Sequence, residues 1–437
     1  MRTAIVLFTR DLRVHDNLAL STAAREAERI LPLFVFDDAI LGTAFAWPNR
    51  VAFLLDALRD LDASLTQRGA RLVLRTGDVV AETLTLARNV AAEAVFVAED
   101  ASGHSQRRQR RLEYACSGAR VGVRVTAGVT VAPLLSLETS SGGHYSVFTP
   151  FYRAWSKAPR RPVEPAPRRL SMQPGVSRGR LPALSRLVDD IPSADLPPGG
   201  ETEGRRRLFA WLHSGLPEYG TTHDDLAAAA TSRLSPYLHF GCISPLEVAS
   251  RAEEVAGAAP FVRQLAWRDF FHQLLAARPE TAHEDMHPRG DRWNSDGQAL
   301  EAWKNGRTGY PIVDAGMRQL LREGYMHNRA RLITASFLVR DLRVDWRAGA
   351  RHFFEWLVDG DLANNVGNWQ WVAGTGANPR PGRTLNPLSQ ARRFDPDGAY
   401  VRRYVPELAA IEGRAVHEPW KLRENINGYP TPIVGHT

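Results

Sequence analysis

The stretch Asp359-Gly360-Asp361-Leu362-Ala363-Asn364-Asn365-Val366-Gly367-Asn368-Trp369-Gln370-Trp371 decides how the rest of the chain is read. It holds two carboxylates two apart, a pair of adjacent amides and two tryptophans two apart. Inside a globular protein such groups must be paired, because a buried polar group without a partner costs roughly 2–7 kcal/mol. Taken alone, the stretch fits a polar loop with core tryptophans as well as it fits a site. Its neighbours decide between the two.

Outward from it, the C-terminal half reads as helical. Segments 261–277, 310–323, 327–342 and 347–358 carry apolar residues at spacings of three and four, the signature of a one-sided helix. Ser244-Pro245-Leu246-Glu247 is a capping box with proline at the first helical position. Most of the tryptophans lie here, so any aromatic chemistry belongs to this half.

The N-terminal part reads differently. Ala4–Phe8, Leu31–Phe36, Arg71–Arg75, Ala94–Ala98 and Val123–Thr126 are short β-branched or aromatic runs of strand length. Between two of them Val51, Leu54, Leu55, Leu58, Leu61 and Leu65 recur at helical spacing before Gly69. Alternation of this kind predicts a doubly wound parallel sheet with helices on both faces. No Gly-x-Gly-x-x-Gly follows the first strand, which argues against an ordinary dinucleotide site there. From about 128 to 200 the pattern dissolves among prolines and arginines, as in a surface connector. The expected organisation is an α/β domain over 1–130, a connector over 131–203 and an all-α domain over 204–437.

A chain of 437 residues with 44% hydrophobic content can bury more than one core. Its net charge of +7 favours a polyanionic partner. Cys116 and Cys242, the only cysteines, make neither a disulfide framework nor a metal pattern. The start, Met1 to Phe8 followed by Thr9-Arg10-Asp11, reads as a strand and not a secretion signal. No apolar run reaches membrane-spanning length. The expectation is a soluble cytoplasmic monomer.

Several motifs occur in a fixed order: Phe8-Thr9-Arg10-Asp11-Leu12-Arg13-Val14-His15-Asp16-Asn17, Gly309-Tyr310-Pro311-Ile312-Val313-Asp314-Ala315-Gly316-Met317-Arg318, Met326-His327-Asn328-Arg329, Ile333-Thr334-Ala335-Ser336-Phe337-Leu338-Val339, the opening stretch, and Val416-His417-Glu418-Pro419-Trp420. Together they resemble the DNA photolyase/cryptochrome family over nearly the whole chain, and most of all its class I cyclobutane pyrimidine dimer photolyases. The resemblance implies FAD in the helical domain and UV-damaged DNA as partner. The reaction it implies is a carbon–carbon lyase reaction, in which excited reduced FAD passes an electron to a flipped-out dimer. Such a cycle needs no metal and no acid–base pair.

The resemblance also assigns roles. Thr231, Ser232, Arg233, Leu234 and Ser235, read from the residues as hydroxyls and a guanidinium before a helix at Pro236, match the FAD phosphate site. Tyr219 matches a flavin-contact tyrosine. Asp359, paired with Arg331, and Asp361 match the acids along a U-shaped FAD, and Asn365 the residue facing flavin N5. An amide there can accept a hydrogen bond from N5 without imposing charge. Trp369, Trp346 and Trp293 match an electron relay; the alternative is tryptophans that pack a helical core. Trp267 matches a dimer-stacking tryptophan. Arg268, Asn328, Arg329, Trp371 and Gln390 match substrate or DNA contacts; Gln264, Arg268 and Asn328 also join the flavin set. In the first domain Arg10, Arg50 and Asp100 match an antenna site, with 8-hydroxy-5-deazaflavin favoured over a folate. Surface salt bridges are the alternative there.

The chain departs from the pattern in places. Gln264 stands where cyclobutane-dimer enzymes commonly have glutamate; glutamine is usual in (6-4) photolyases and animal cryptochromes. The histidine pair of the (6-4) enzymes is missing, which keeps dimer repair ahead of a (6-4) photolyase. A cryptochrome photoreceptor is the other alternative, disfavoured because few residues follow Trp420. His223 replaces a DNA-contacting arginine and Leu332 a methionine. His283-Glu284-Asp285-Met286-His287 fits the zinc pattern His-Glu-x-x-His, but Pro279 before it and Pro288-Arg289-Gly290 after it argue against the continuous helix that pattern needs.

Overall fold

The computed structural model describes residues 1–228, 230–377, 384–422 and 426–435. They form two compact units. Met1–Ile191, Pro197–Pro217 and Ser232–Ala282 make the first; Pro192–Leu196, Glu218–Thr231 and His283–Thr437 make the second.

The first unit is built on β1 (Thr3–Phe8), β2 (Arg29–Asp37), β3 (Val73–Gly77), β4 (Ala94–Ala98) and β5 (Gly122–Thr126). All pair in parallel, in the order β3-β2-β1-β4-β5. Every residue of β1 is buried, as expected of a central parallel strand covered on both faces. The crossovers carry α1 (Leu18–Glu26), α2 (Pro48–Thr66), α3 (Val79–Asn89) and α4 (Gly103–Gly118). Ile5, Leu7, Leu31, Leu33 and Val95 of the sheet pack with Val80 and Leu86 of α3 and Leu112 of α4. β3 starts two residues later than its apolar run suggests. Asp62 accepts the Leu72 N–H at 2.8 Å and pairs with Arg71, so neither residue joins the ladder.

Arg13, read as part of a motif, turns out to tie this unit together. It is fully buried and donates to the carbonyls of His15, Asp16, Gly128 and Gly241 at 3.0–3.3 Å.

The segment after β5 is not all irregular. It contains α5 (Phe148–Lys157), which buries Phe148, Phe151 and Trp155 at helical spacing. The unit continues through α6 (Glu201–Ala210), α7 (Pro245–Glu253) and α8 (Ala259–Ala277). Ser244 caps α7 by accepting the Glu247 N–H at 3.2 Å. The Glu247 carboxylate is instead paired with Arg205 and Arg251.

The second unit is helical: α9 (Gly297–Lys304), α10 (Pro311–Glu323), α11 (Asn328–Ser336), α12 (Trp346–Trp356), α13 (Leu362–Ala373), α14 (Pro387–Phe394) and α15 (Ala399–Tyr404). Its core gathers Trp303, Met317, Leu320, Ile333, Phe337, Trp346, Phe353 and Trp369. The helix expected over 327–342 is two segments. After Ser336 the chain widens through Phe337–Asp341, where Leu342 donates to Phe337 five residues back at 3.0 Å. Among the described residues no helix is long and apolar enough to cross a membrane.

Candidate functional site

The opening stretch lies at the mouth of α13 and lines a cleft within the second unit. Asn328, Arg331, Leu332 and Ala335 of α11 face it, as do Asn364, Asn365, Asn368, Trp369 and Val372 of α13. Both sets recur at three and four residues, so each is one face of its helix. Phe353, Leu357, Asp359 and Asp361 complete the lining.

The two carboxylates have different work. Asp361 caps α13, accepting the Asn364 N–H at 2.9 Å and its Nδ2 at 2.7 Å. Arg331 Nη2 donates to both oxygens of Asp359, 3.0 Å to Oδ1 and 2.8 Å to Oδ2. Arg331 is itself held by the Met326 carbonyl at 2.8 Å and lies over Tyr325. Asn365 spends its Nδ2 on the Ala350 carbonyl at 2.8 Å, which orients its Oδ1 as an acceptor.

Trp369 and Trp346 are buried, and Trp293 is half-buried against the same cluster. Gly349, one turn beyond Trp346 on α12, leaves the room that Trp369 fills: a Cβ there would stand 2.2 Å from the Trp369 ring. Trp346 Nε1 donates to Asp285 Oδ1 at 2.9 Å. The stretch holding Asp285 is a loop, not the helix that His-Glu-x-x-His would need.

Other expected residues of this unit are also placed. Arg329 forks onto Asp224 at 2.7–3.1 Å and stacks on Phe394 at 4.3 Å. Tyr219 is buried, its hydroxyl pushed up by that burial, and its carbonyl contacts His223 Nδ1 at 2.8 Å. Trp371 is half-buried, and Gln390 on α14 has a buried Oε1 without a hydrogen bond among the described residues. Thr231 is half-buried.

In the first unit Gln264 is exposed and Trp267 half-buried on α8. Trp267 is stacked on Phe148, the ring centroids 3.6 Å apart and the planes 5° from parallel. Next to it, the buried Asp269 accepts from Val131 N, Ala132 N and Trp155 Nε1 at 2.8–3.2 Å, which fastens α5 to α8. Arg268 is less of a rim residue than its neighbour suggests. Its side chain is 11% exposed, and it donates to the carbonyls of Val129 and Leu238. The helix after Ser232-Arg233-Leu234 begins at Ser235, not Pro236, and runs only to His239. Leu234 is its cap, so no side chain caps it; Ser232 Oγ accepts the Leu234 N–H at 3.4 Å, and Arg233 sits at φ +49°.

At the ends of β1 and β4, where the strand order reverses, Arg10 pairs with Asp100 at 3.0 Å. Burial alone would raise Asp100, but Arg10 and Arg108 outweigh it and hold the carboxyl low. Arg50 turns instead to the carbonyls of Phe45 and Ala44 at 3.0 and 2.7 Å.

Comparison with known proteins matches residues 4–169 to the family model "DNA photolyase" and residues 261–437 to "FAD binding domain of DNA photolyase". The chain belongs to the DNA photolyase family. A deoxyribodipyrimidine photo-lyase of Streptomyces griseus is 49% identical over 99% of this chain and 96% of its own. A cryptochrome DASH of Danio rerio is 35% identical over 99% and 90%. The solved bacterial class III photolyase from Agrobacterium tumefaciens aligns with a TM-score of 0.92 at 35% identity, covering 100% of this chain and 95% of that one. An archaeal photolyase from Sulfolobus tokodaii, solved with two FAD molecules, aligns at 0.89 and 32%, covering 99% and 96%.

As a photolyase FAD-binding domain, the second unit has a cleft whose donor set suits that cofactor. Amides, an arginine and carboxylates offer bonds to the polar edge of a flavin and to ribose. Leu332, Ala335, Leu357, Val372 and the Phe353 and Trp369 rings offer an apolar wall. Sequence reasoning passed over Asn364, Asn368 and Phe353 as lining residues. The helical spacing of Asn364 and Asn368 from Asp361 and Asn365 was signal enough to find them. The partnership of Phe148 with Trp267 left no such signal, since it is made between distant segments.

Proposed function

We propose that this photolyase repairs cyclobutane pyrimidine dimers in DNA by light-driven electron transfer to a flipped-out lesion. The observation that carries the reading is the cleft bounded by Asp359, Asp361, Asn365 and Trp369 in a chain matched to the family over both of its domain models. FAD, when bound there in its reduced form, supplies the photoexcited electron.

The chain's own part is positioning. Arg331 neutralises Asp359 and holds it where a ribose hydroxyl can be met. Asp361 is kept rigid by its capping bonds. Asn365 presents an oriented acceptor toward N5, and its lack of charge favours the reduced cofactor. Tyr219, the Thr231–Ser235 stretch, Gln264, Arg268 and Asn328 complete the proposed FAD set. Trp369, Trp346 and Trp293 carry electrons inward to restore reduced flavin.

On the substrate side, Trp267 offers a flat apolar surface for an unstacked dimer. Gln264 and Gln390 hydrogen-bond the base edges. Arg268, Asn328, Arg329 and Trp371 complete the DNA-facing set. A phosphate contact by Arg329 positions the backbone without reading sequence. Arg10, Arg50 and Asp100 belong to a second chromophore site, 8-hydroxy-5-deazaflavin being favoured. The two-FAD archaeal structure supports a second-chromophore site in the family without identifying the chromophore here. The protein acts as a cytoplasmic monomer on damaged DNA.

The test is illumination of the reduced protein with oligonucleotides carrying either a cyclobutane dimer or a (6-4) product. Loss of the dimer alone is expected. Repair of the (6-4) product alone favours the second reading, for which exposed Gln264 speaks. Repair of neither favours a cryptochrome photoreceptor.

A further inference from the structure

The middle tryptophan of the proposed relay is not an isolated ring. Trp346, 1% exposed, donates its indole N–H to Asp285 Oδ1 at 2.9 Å. Arg347 reaches the same oxygen through Nη2 at 3.0 Å, and its guanidinium lies over the Trp346 ring, 4.7 Å from the centroid. Arg347 is steadied by the His283 carbonyl at 2.8 Å and by Asp345 at 3.2 Å.

The carboxylate is held in place from both sides. Gln370, the residue after Trp369, donates to the Glu284 carbonyl at 3.0 Å and accepts the Met286 N–H at 2.9 Å. His287 N–H meets the Thr375 carbonyl at 2.8 Å. The loop is therefore registered against α13 at the residues flanking Asp285, which delivers a base to one indole nitrogen in the core.

Two local charges act on Trp346 when it loses an electron. A cation over the face of a neutral ring is attracted by its quadrupole, but over an oxidised ring it is repelled. Arg347 thus disfavours a positive charge resting on Trp346. Electron loss also makes the indole N–H a far stronger acid, and its hydrogen bond already ends on a carboxylate.

We propose that Asp285 is the proton acceptor of Trp346, so that electron loss there is coupled to proton transfer. The proposal rests on the reading of Trp369, Trp346 and Trp293 as a relay. Bound oxidised flavin would supply the oxidant; Trp369, once it has lost an electron, takes one from Trp346. The indole N–H bond breaks, and its proton forms an O–H bond on Asp285 Oδ1. A neutral indolyl radical and a carboxylic acid remain. When an electron arrives from Trp293, the proton returns and Trp346 is restored. Asp285 positions a proton and does not touch the flavin.

The test uses flash absorption of the flavin-loaded protein in a Trp293→Phe background, which confines the hole to Trp346. The expected result is a neutral tryptophanyl radical whose formation slows in deuterated solvent. Adding Asp285→Asn keeps an acceptor but removes the base. The radical should then remain cationic, the deuterium effect should be lost, and the net yield of photoreduced flavin should fall. Asp285→Glu, which restores a carboxylate, should restore the neutral radical. An unchanged neutral radical and deuterium effect in Asp285→Asn, with normal flavin content, overturns the proposal. Trp346→Phe separates this from failure of the relay. If that variant keeps the full radical yield, the relay reading falls, and the role of Asp285 with it.

Discussion

The indole of Trp267 lies face to face on the ring of Phe148, 3.6 Å away and within 5° of parallel. The two residues are far apart in sequence, and their meeting depends on Asp269 binding α5 through Trp155. Phe148 therefore backs the surface proposed to receive the lesion.

Trp267→Ala should weaken binding of dimer-containing DNA far more than of undamaged DNA. Stacking of a base on an aromatic is worth ~1–3 kcal/mol, about 5- to 150-fold in Kd. Phe148→Leu, which keeps volume but loses the flat support, should weaken dimer binding in the same direction and by less. Titration of both DNAs checks this; equal losses on the two would remove Trp267 from the lesion surface.

Arg331 Nη2 is paired with Asp359, whose side chain is 3% exposed. Arg331→Ala should destabilise the protein by about 3–5 kcal/mol and lower its flavin content. Arg331→Lys, which keeps a charge for Asp359 but loses the Nε bond to the Met326 carbonyl, should fall between. Thermal unfolding and flavin absorbance per chain report the two effects.

Asn365→Asp replaces a donor to the Ala350 carbonyl with a second acceptor, at a cost of roughly 1–3 kcal/mol. It should also change which flavin redox states persist under illumination. Photoreduction identical to the parent would argue against a role at N5.

Two groups of the second unit, the buried His352 and the half-buried Asp341, respond to pH in opposite senses. Burial, then the Lys304 ammonium, lower His352 from 6.5 to about 4. It is neutral when folded, so its contribution is complete above 6.5 and is lost as pH falls toward 4. That difference converts to about 3 kcal/mol. Burial raises Asp341 from 3.8 to about 6, so its contribution is present below 3.8 and lost as pH rises through 6. Relative to the parent, His352→Gln should make the slope of stability against pH between 4.5 and 6 less positive, and Asp341→Asn should make it more positive. Denaturant midpoints across that range check the pair; parallel slopes would refute it.

Local pattern carried the sheet well. Ala94–Ala98 occupies its strand residue for residue, because five buried apolar side chains leave a parallel strand little freedom of register. Where the reading slipped, a long-range polar contact competed with propensity. Asp62 draws Arg71 and Leu72 out of β3, and the widened turn at Phe337–Asp341 divides one periodic run into two. α5 was hidden among prolines and arginines, although Phe148, Phe151 and Trp155 mark its buried side.

By itself the sequence determined the element types, the parallel α/β start, the helical remainder and the family, since each follows from periodicity or from ordered local motifs. Which side chains meet was decided by tertiary structure alone. The pairing of Arg331 with Asp359 joins residues that a family pattern could pair. Phe148 beneath Trp267 and Asp285 at the Trp346 nitrogen arise only when separate segments pack, because hydrogen bonds and ring contacts act over a few ångströms and take no account of distance along the chain.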